Sequence, residues 1–153
     1  MKLDIINNSD YHIDSGAVKQ LCCWLNRQPD IDLPAEISLV FVTDEVIAGL
    51  NEKYYGRRGV TDVLSFPYGD CLAEIILNPA QQHRQAGQFD NSFSEEVAEN
   101  IIHAFLHLAG YDHTGPEDNG EHLRRQRELI TEYKNQSPPL LVEEKQGMIN
   151  RDG

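Results

Sequence analysis

A chain of 153 residues, 40% hydrophobic and 25% charged, has the size and composition of one globular domain. No run approaches the roughly 18 apolar residues that cross a bilayer, which argues against a membrane-spanning helix and against a membrane partner. A formal net charge of −12 repels nucleic acid at long range, so contact with RNA or DNA requires a local basic patch against the global field.

The first residues, Met-Lys-Leu-Asp-Ile-Ile, put polar and acidic groups where a signal peptide needs an apolar stretch, so the expected location is cytoplasmic. Cys22, Cys23 and Cys71 form no CxxC pair, and an odd count argues against a disulfide framework. Reduced, packed thiols are the expectation.

In chain order, residues 3–6 read as a short strand ending in the turn cluster Asn7-Asn8-Ser9. Asp14 or Ser15 caps a helix whose Val18, Leu21, Cys22 and Leu25 recur at helical spacing, until Pro29 to Pro34 interrupts. Glu36 to Val42 alternates and is rich in β-formers, predicting a strand. Thr43 is expected to cap a helix over 44–53 with Val46, Ile47 and Leu50 on one face. Val60 to Phe66 reads as a strand stopped by Pro67, and Leu72 to Leu77 as the next, ended by Asn78-Pro79. A short helix over 80–86 and a loop over 87–92 follow.

Ser92 with Glu95 three residues on fits a capping box, so a helix should run from there to Ala109. From Val97 onward this helix carries apolar residues on nearly every side and lacks an obvious polar stripe, which predicts burial at the centre of the domain. Gly110 supplies a left-handed residue to end it. A last helix is expected over 117–133, carrying Leu123, Leu129 and Ile130. The domain is expected to span 1–135, with 136–153 as a C-terminal tail. Helices interleaved with about four strands predict an α/β or α+β sheet with helices packed on it, one of them central.

Chemistry concentrates on that central helix. His103 and His107 are four apart and share one face, a spacing at which two imidazoles grip one metal ion. Gly110 lets the chain turn back, so that His113 reaches the same ion. A lone histidine on an apolar helix is usually a satisfied core residue. Two at this spacing, with a third beyond a helix-ending glycine, point instead to zinc held by His103, His107 and His113. Three histidines leave a fourth position for water, as in catalytic zinc sites.

In the zinc proteases a glutamate follows the first histidine as general base. Here that residue is Ala104, so the nucleophile would be the zinc-bound water itself. Asp112 is either a carboxylate orienting His113 or a turn residue. Arg57 and Arg58, bracketed by Gly56 and Gly59 before a strand, are either phosphate-binding arginines or a solvated basic turn. Arg124, Arg125 and Arg127 read as a surface helix face.

The stretches Thr61-Asp-Val-Leu-Ser-Phe-Pro67 and His103-xxx-His107-Leu-xx-Gly110-Tyr-Asp-His113 together resemble the YbeY family of bacterial ribosomal-RNA maturation endoribonucleases, over about residues 36–132. The resemblance implies a mixed sheet around a central helix and one zinc ion on His103, His107 and His113. It also implies a cytosolic role in processing ribosomal RNA ends, 16S rRNA in particular, and in ribosome quality control, with the small subunit or its proteins as partners. Where the family usually carries arginine this chain has Tyr55, and Arg57 or Arg58 is the expected substitute. Two other readings remain: a metal-dependent peptidase or amidohydrolase, which Ala104 opposes, and an assembly factor whose zinc is structural, closed by His122 as fourth ligand.

Overall fold

The structure is a computed structural model and describes residues 1–111 and 120–144. Four strands build the main sheet: β1 (Lys2–Asn7), β3 (Glu36–Phe41), β5 (Leu72–Leu77) and β4 (Val63–Tyr68), in that spatial order. β1, β3 and β5 run parallel, and β4 pairs antiparallel with β5 at the edge, giving the expected mixed sheet. Residue-by-residue alternation sends Leu39, Phe41, Ile75 and Leu77 to one face and Val40, Ile76 and Leu64 to the other. The first face packs on α1 (Ser15–Asn26) and α4 (Phe93–Leu108); the second carries α2 (Asp44–Tyr55). α3 (Pro79–Gln88) packs beside α4.

Several local expectations are corrected. Thr43 occupies the N-cap position of α2, yet its side chain accepts no capping hydrogen bond. α2 runs on to Tyr55 and buries Ile47 and Asn51, whereas Val46 is exposed, because only a narrow stripe of the helix meets the sheet. Strand β4 begins at Val63, and Pro67 continues it rather than stopping it. The reason is position. Val42 N–H donates to Leu77 O, so Leu77 and its alternates turn their backbone groups towards β3. Their partners Val63, Ser65 and Pro67 therefore point theirs to the open edge, where a missing N–H breaks no ladder bond. Of the cysteines only Cys22 is packed, and burial raises its thiol pKa; Cys23 and Cys71 are exposed.

α4 starts as expected: Glu95 N–H donates to Ser92 Oγ at 3.0 Å, and Ser92 N–H donates to Glu95 Oε1 at 2.8 Å. Its Val97, Ile101, Ile102, Phe105 and Leu106 are fully buried, each contributing roughly 1.5–3 kcal/mol of apolar transfer. α5 (Glu121–Asn135) covers α4 through Leu129, while Leu123 lies exposed on its outer side. The expected start of α5 at 117 lies outside the described residues.

Beyond α5 the chain does not simply trail away. Leu141 and Val142 are buried, and β6 (Val142–Glu144) pairs antiparallel with β2 (Tyr11–Ile13). Asp14 N–H donates to Leu141 O at 2.9 Å, and Leu141 N–H donates to Ser94 Oγ at 2.8 Å. Residues 145–153 lie outside the described residues. A docked Leu141 makes a plain prediction. Leu141→Ala should destabilise the protein by about 2–5 kcal/mol in urea unfolding, the cost of a core cavity; a tail residue would leave the midpoint where it was.

Candidate functional site

α4 is central but not apolar all round. Glu96, Asn100, His103 and His107 follow one another at steps of four, three and four, and so form a single polar stripe along it. The stripe was legible in the spacing but is missed when residues are read only for apolar character. It faces outward between β4 and α5, where a cleft of about 310 Å³ is lined by Asp62, Val63, Glu96, Glu99, Asn100, His103 and Gln126. The exposed His107 borders a second groove of about 440 Å³, walled by Leu33, Pro34, Pro67 and Asp70.

His103 is held in place by the facing helix: its Nδ1 lies 2.8 Å from Gln126 Oε1. With the proton on Nδ1 that oxygen accepts it, which leaves Nε2 the nitrogen with a lone pair to offer. The ring of the fully buried His122 stands edge-on to His103 with centroids 4.8 Å apart, and Tyr111 lies edge-on to His122 at 6.5 Å.

The carboxylates in the cleft are embedded in an amide network. Glu96 accepts from Gln85 at 3.1 Å, Asn91 at 3.2 Å and Asn100 at 3.1 Å. Gln85 also donates to Asp62 at 3.0 Å, and Asn78 N–H takes the Asp62 carbonyl at 2.9 Å. The loop entering β4 is thereby pinned to α3, which sets Asp62 opposite the stripe. Glu99 accepts from Asn91 at 2.9 Å, and burial raises its carboxyl pKa against the pull of Lys134.

Where α4 ends, Gly110 adopts φ 96°, as expected, and its N–H and that of Tyr111 donate to the carbonyls of His107 and Leu106. Tyr111 then donates its hydroxyl to Asp30 Oδ2 at 2.7 Å. Arg125, expected on a surface face, instead grips the same carboxylate with Nε at 2.7 Å and Nη2 at 2.9 Å. Its side chain is only 17% exposed, a geometry that lifts it above an ordinary surface pair. One carboxylate thus fastens both the exit from α4 and the body of α5.

Of the sequence-predicted site residues, His103 and His107 come together on the stripe. His113 and Asp112 lie outside the described residues. Arg57 and Arg58 are exposed in the loop after α2 and line neither histidine cleft. Among the described residues, no group of three or more His, Cys, Asp or Glu forms a complete metal site, and no helix is long and apolar enough to cross a membrane. Glu96, Asn100, Gln126 and the Asp30–Arg125 pair were not foreseen.

Fold and site define a small α/β enzyme domain built on a central histidine-bearing helix. The family model of endoribonuclease YbeY matches residues 5–134. A protein of Thermodesulfovibrio yellowstonii named endoribonuclease YbeY is 39% identical over 101 residues, covering 61% of this chain and 64% of that one. One of the same name from Bifidobacterium animalis subsp. lactis is 29% identical over 145 residues, covering 87% of this chain and 80% of that protein. The solution structure of TM1509 from Thermotoga maritima superposes with a TM-score of 0.64 at 28% identity, covering 88% of this chain and 91% of that one. The chain belongs to the endoribonuclease YbeY family, and so to the hydrolytic enzymes.

The clasp at Asp30 sets an acid-side limit on stability. The hydrogen bonds from Arg125, then from Tyr111, lower the Asp30 pKa. A lowered native pKa contributes stability above the unfolded value of about 3.9 and loses it as pH falls through the native one. Asp30→Asn should therefore cost stability at pH 7 and leave a smaller drop between about pH 5 and pH 2 than wild type shows. Parallel acid-unfolding curves for the two proteins would show the clasp to be inert.

Proposed function

We propose that this chain is a zinc-dependent endoribonuclease that cuts single-stranded ribosomal RNA during maturation, acting at the 3′ end of 16S rRNA and in ribosome quality control. The observation that carries this reading is the pairing of His103 and His107 on the one polar stripe of α4, with His103 oriented through Nδ1 by Gln126 at 2.8 Å. A ring fixed through one nitrogen by an oxygen acceptor is how metal-binding histidines are held, so the donors present fit the group. His103, His107 and His113 would hold the ion. When bound, zinc supplies Lewis acidity towards the phosphodiester and towards water.

The chain's own residues do the rest. Gln126 holds the His103 ring through Nδ1. The Asp30 clasp anchors Tyr111, two residues before His113, and α5 together. One cleft at His103 and another at His107, successive along the stripe, give an extended substrate room to pass the histidines. Ala104 follows His103 without a carboxylate, which opposes a peptidase reading. The overall charge of −12 favours an enzyme that meets its RNA on the ribosome, docked through the small subunit or its proteins, in the cytoplasm.

A second reading is favoured by one observation. His122 stands 4.8 Å from His103, close enough for a fourth imidazole to close the site and make the metal structural.

Metal analysis separates these readings. Wild type should hold about one zinc per chain, the expectation for a single site. His107→Ala should lose the metal and the cleavage of unstructured RNA together. Chelator should abolish cutting, and cutting that survives full metal removal would refute the mechanism. Gln126→Ala should weaken zinc binding by about 10–100-fold in a chelator competition. If His122→Ala lost the metal as completely as His107→Ala, the closed, structural reading would replace the catalytic one.

A further inference from the structure

The face of the sheet opposite α4 is only partly covered. α2 packs over the row Val40, Ile76 and Leu64, and in its last turn Tyr54 and Tyr55, with Tyr68 at the end of β4, stand 56%, 44% and 53% exposed. They form one surface with the half-buried Phe66. Tyr54 meets it edge-on with centroids 5.3 Å apart, and Tyr55 tilts against it at 5.7 Å. The Tyr55 hydroxyl is tied down, donating to Ser65 O at 2.8 Å, and Glu74 lies close enough to Tyr68 to raise its pKa. Large rings grouped together and left in water mark a contact surface rather than a core.

Charge narrows the choice of ligand. In a chain of net charge −12, Lys53, Arg57 and Arg58 fall within six residues of one another, and among the described residues none of the three enters an ion pair. Arg84, Arg124, Arg125 and Lys134 are paired with carboxylates. Lys2, Lys19, Arg27 and Arg127 also enter no ion pair among the described residues, so it is the clustering beside the rings that distinguishes Lys53, Arg57 and Arg58. Lys53 Nζ lies 5.1 Å from the centre of the Tyr54 ring, which brings positive charge to the rings themselves. The acids near these groups in sequence are the exposed Glu52 and Asp70 and the half-buried Asp62 and Glu74, of which Asp62 accepts from Gln85 and Glu74 lies beside Tyr68. Exposed rings beside unpaired cations suit unstacked bases and their phosphates; a duplex keeps its bases stacked and offers the rings nothing.

Connectivity links this surface to the histidines. Along β4, Val63 and Pro67 line the two histidine clefts, while Leu64, Phe66 and Tyr68 alternate to the opposite face. The Tyr55 hydroxyl reaches the open edge at Ser65, between the two sides. A polynucleotide lying on the rings has only the width of this single edge strand to cross before it meets the stripe of α4.

We propose that Tyr54, Tyr55 and Tyr68, flanked by Lys53, Arg57 and Arg58, form a stacking platform for unpaired bases of single-stranded RNA, an inference that rests on the endoribonuclease reading and names where its substrate is gripped. The test is fluorescence anisotropy on the full chain stripped of metal by chelator. The probes are a labelled oligoadenylate of about 12 nucleotides, within the site sizes of single-strand binders, and a duplex of equal length.

The single strand should bind more tightly than the duplex. Tyr54→Ala and Tyr68→Ala should each weaken single-strand binding by about 5- to 100-fold, whereas Tyr54→Phe and Tyr68→Phe should retain it. Arg57→Ala and Arg58→Ala should each reduce the slope of log affinity against log salt by about 0.7. A Tyr54→Ala/Tyr68→Ala double variant with wild-type thermal unfolding and wild-type RNA affinity would overturn the platform. So would duplex binding as tight as single-strand binding, or variants that keep RNA affinity but lose a ribosomal protein. Since binding is read without metal, a protein that binds through the tyrosines but never cuts overturns only the nuclease reading. One that cuts but binds independently of the tyrosines overturns only the platform.

Discussion

Helix α4 must bury most of its circumference, and that constraint organises the molecule. The sheet face carrying Leu39, Phe41, Ile75 and Leu77 takes one side of it, α1 another, and α5 a third. What remains is the stripe of Glu96, Asn100, His103 and His107. Polar groups on a central helix are tolerable only where they find partners or water. Both conditions are met here: Glu96 is surrounded by the amides of Gln85, Asn91 and Asn100, His103 is bonded to Gln126, and His107 is exposed to the second groove.

The same packing explains why the site lies between β4 and α5. Strand β4 is antiparallel in an otherwise parallel sheet and sits at the edge, so among the described residues no further strand covers it. Its open side carries Pro67, which has no N–H to offer, and Ser65, whose carbonyl is taken by the Tyr55 hydroxyl. Both features discourage pairing with another strand. They leave the edge free to border the clefts. On the far wall, Asp30 holds Arg125 and Tyr111 at once, so α5 and the end of α4 form one unit.

Electrostatics divides the surface into two kinds of region. Carboxylates near the stripe are engaged by amide donors or by Lys134, while Lys53, Arg57 and Arg58, on the other side of β4, enter no ion pair among the described residues. A strongly acidic protein that keeps three cations unpaired beside exposed aromatic rings has reserved one patch for an anionic, aromatic ligand. The net charge screens out nonspecific contact with polyanions elsewhere.

The sequence alone determined what depends on near neighbours. The capping box at Ser92 and Glu95, the four-residue step between His103 and His107, the left-handed Gly110 and the alternation from Glu36 all follow from dihedral preference and helix or strand period, and each is found in place, the strand ending at Phe41 one residue before the expected Val42. Membership in the YbeY family was likewise readable from two short motifs. Tertiary structure decided the rest. Gln126 meets His103 across 23 positions, Arg125 meets Asp30 across 95, and Leu141 meets Ser94 across 47, none of which any local period encodes. Such contacts exist only once burial has chosen which faces turn inward, because a polar side chain finds its distant partner through the packing of the apolar residues around it.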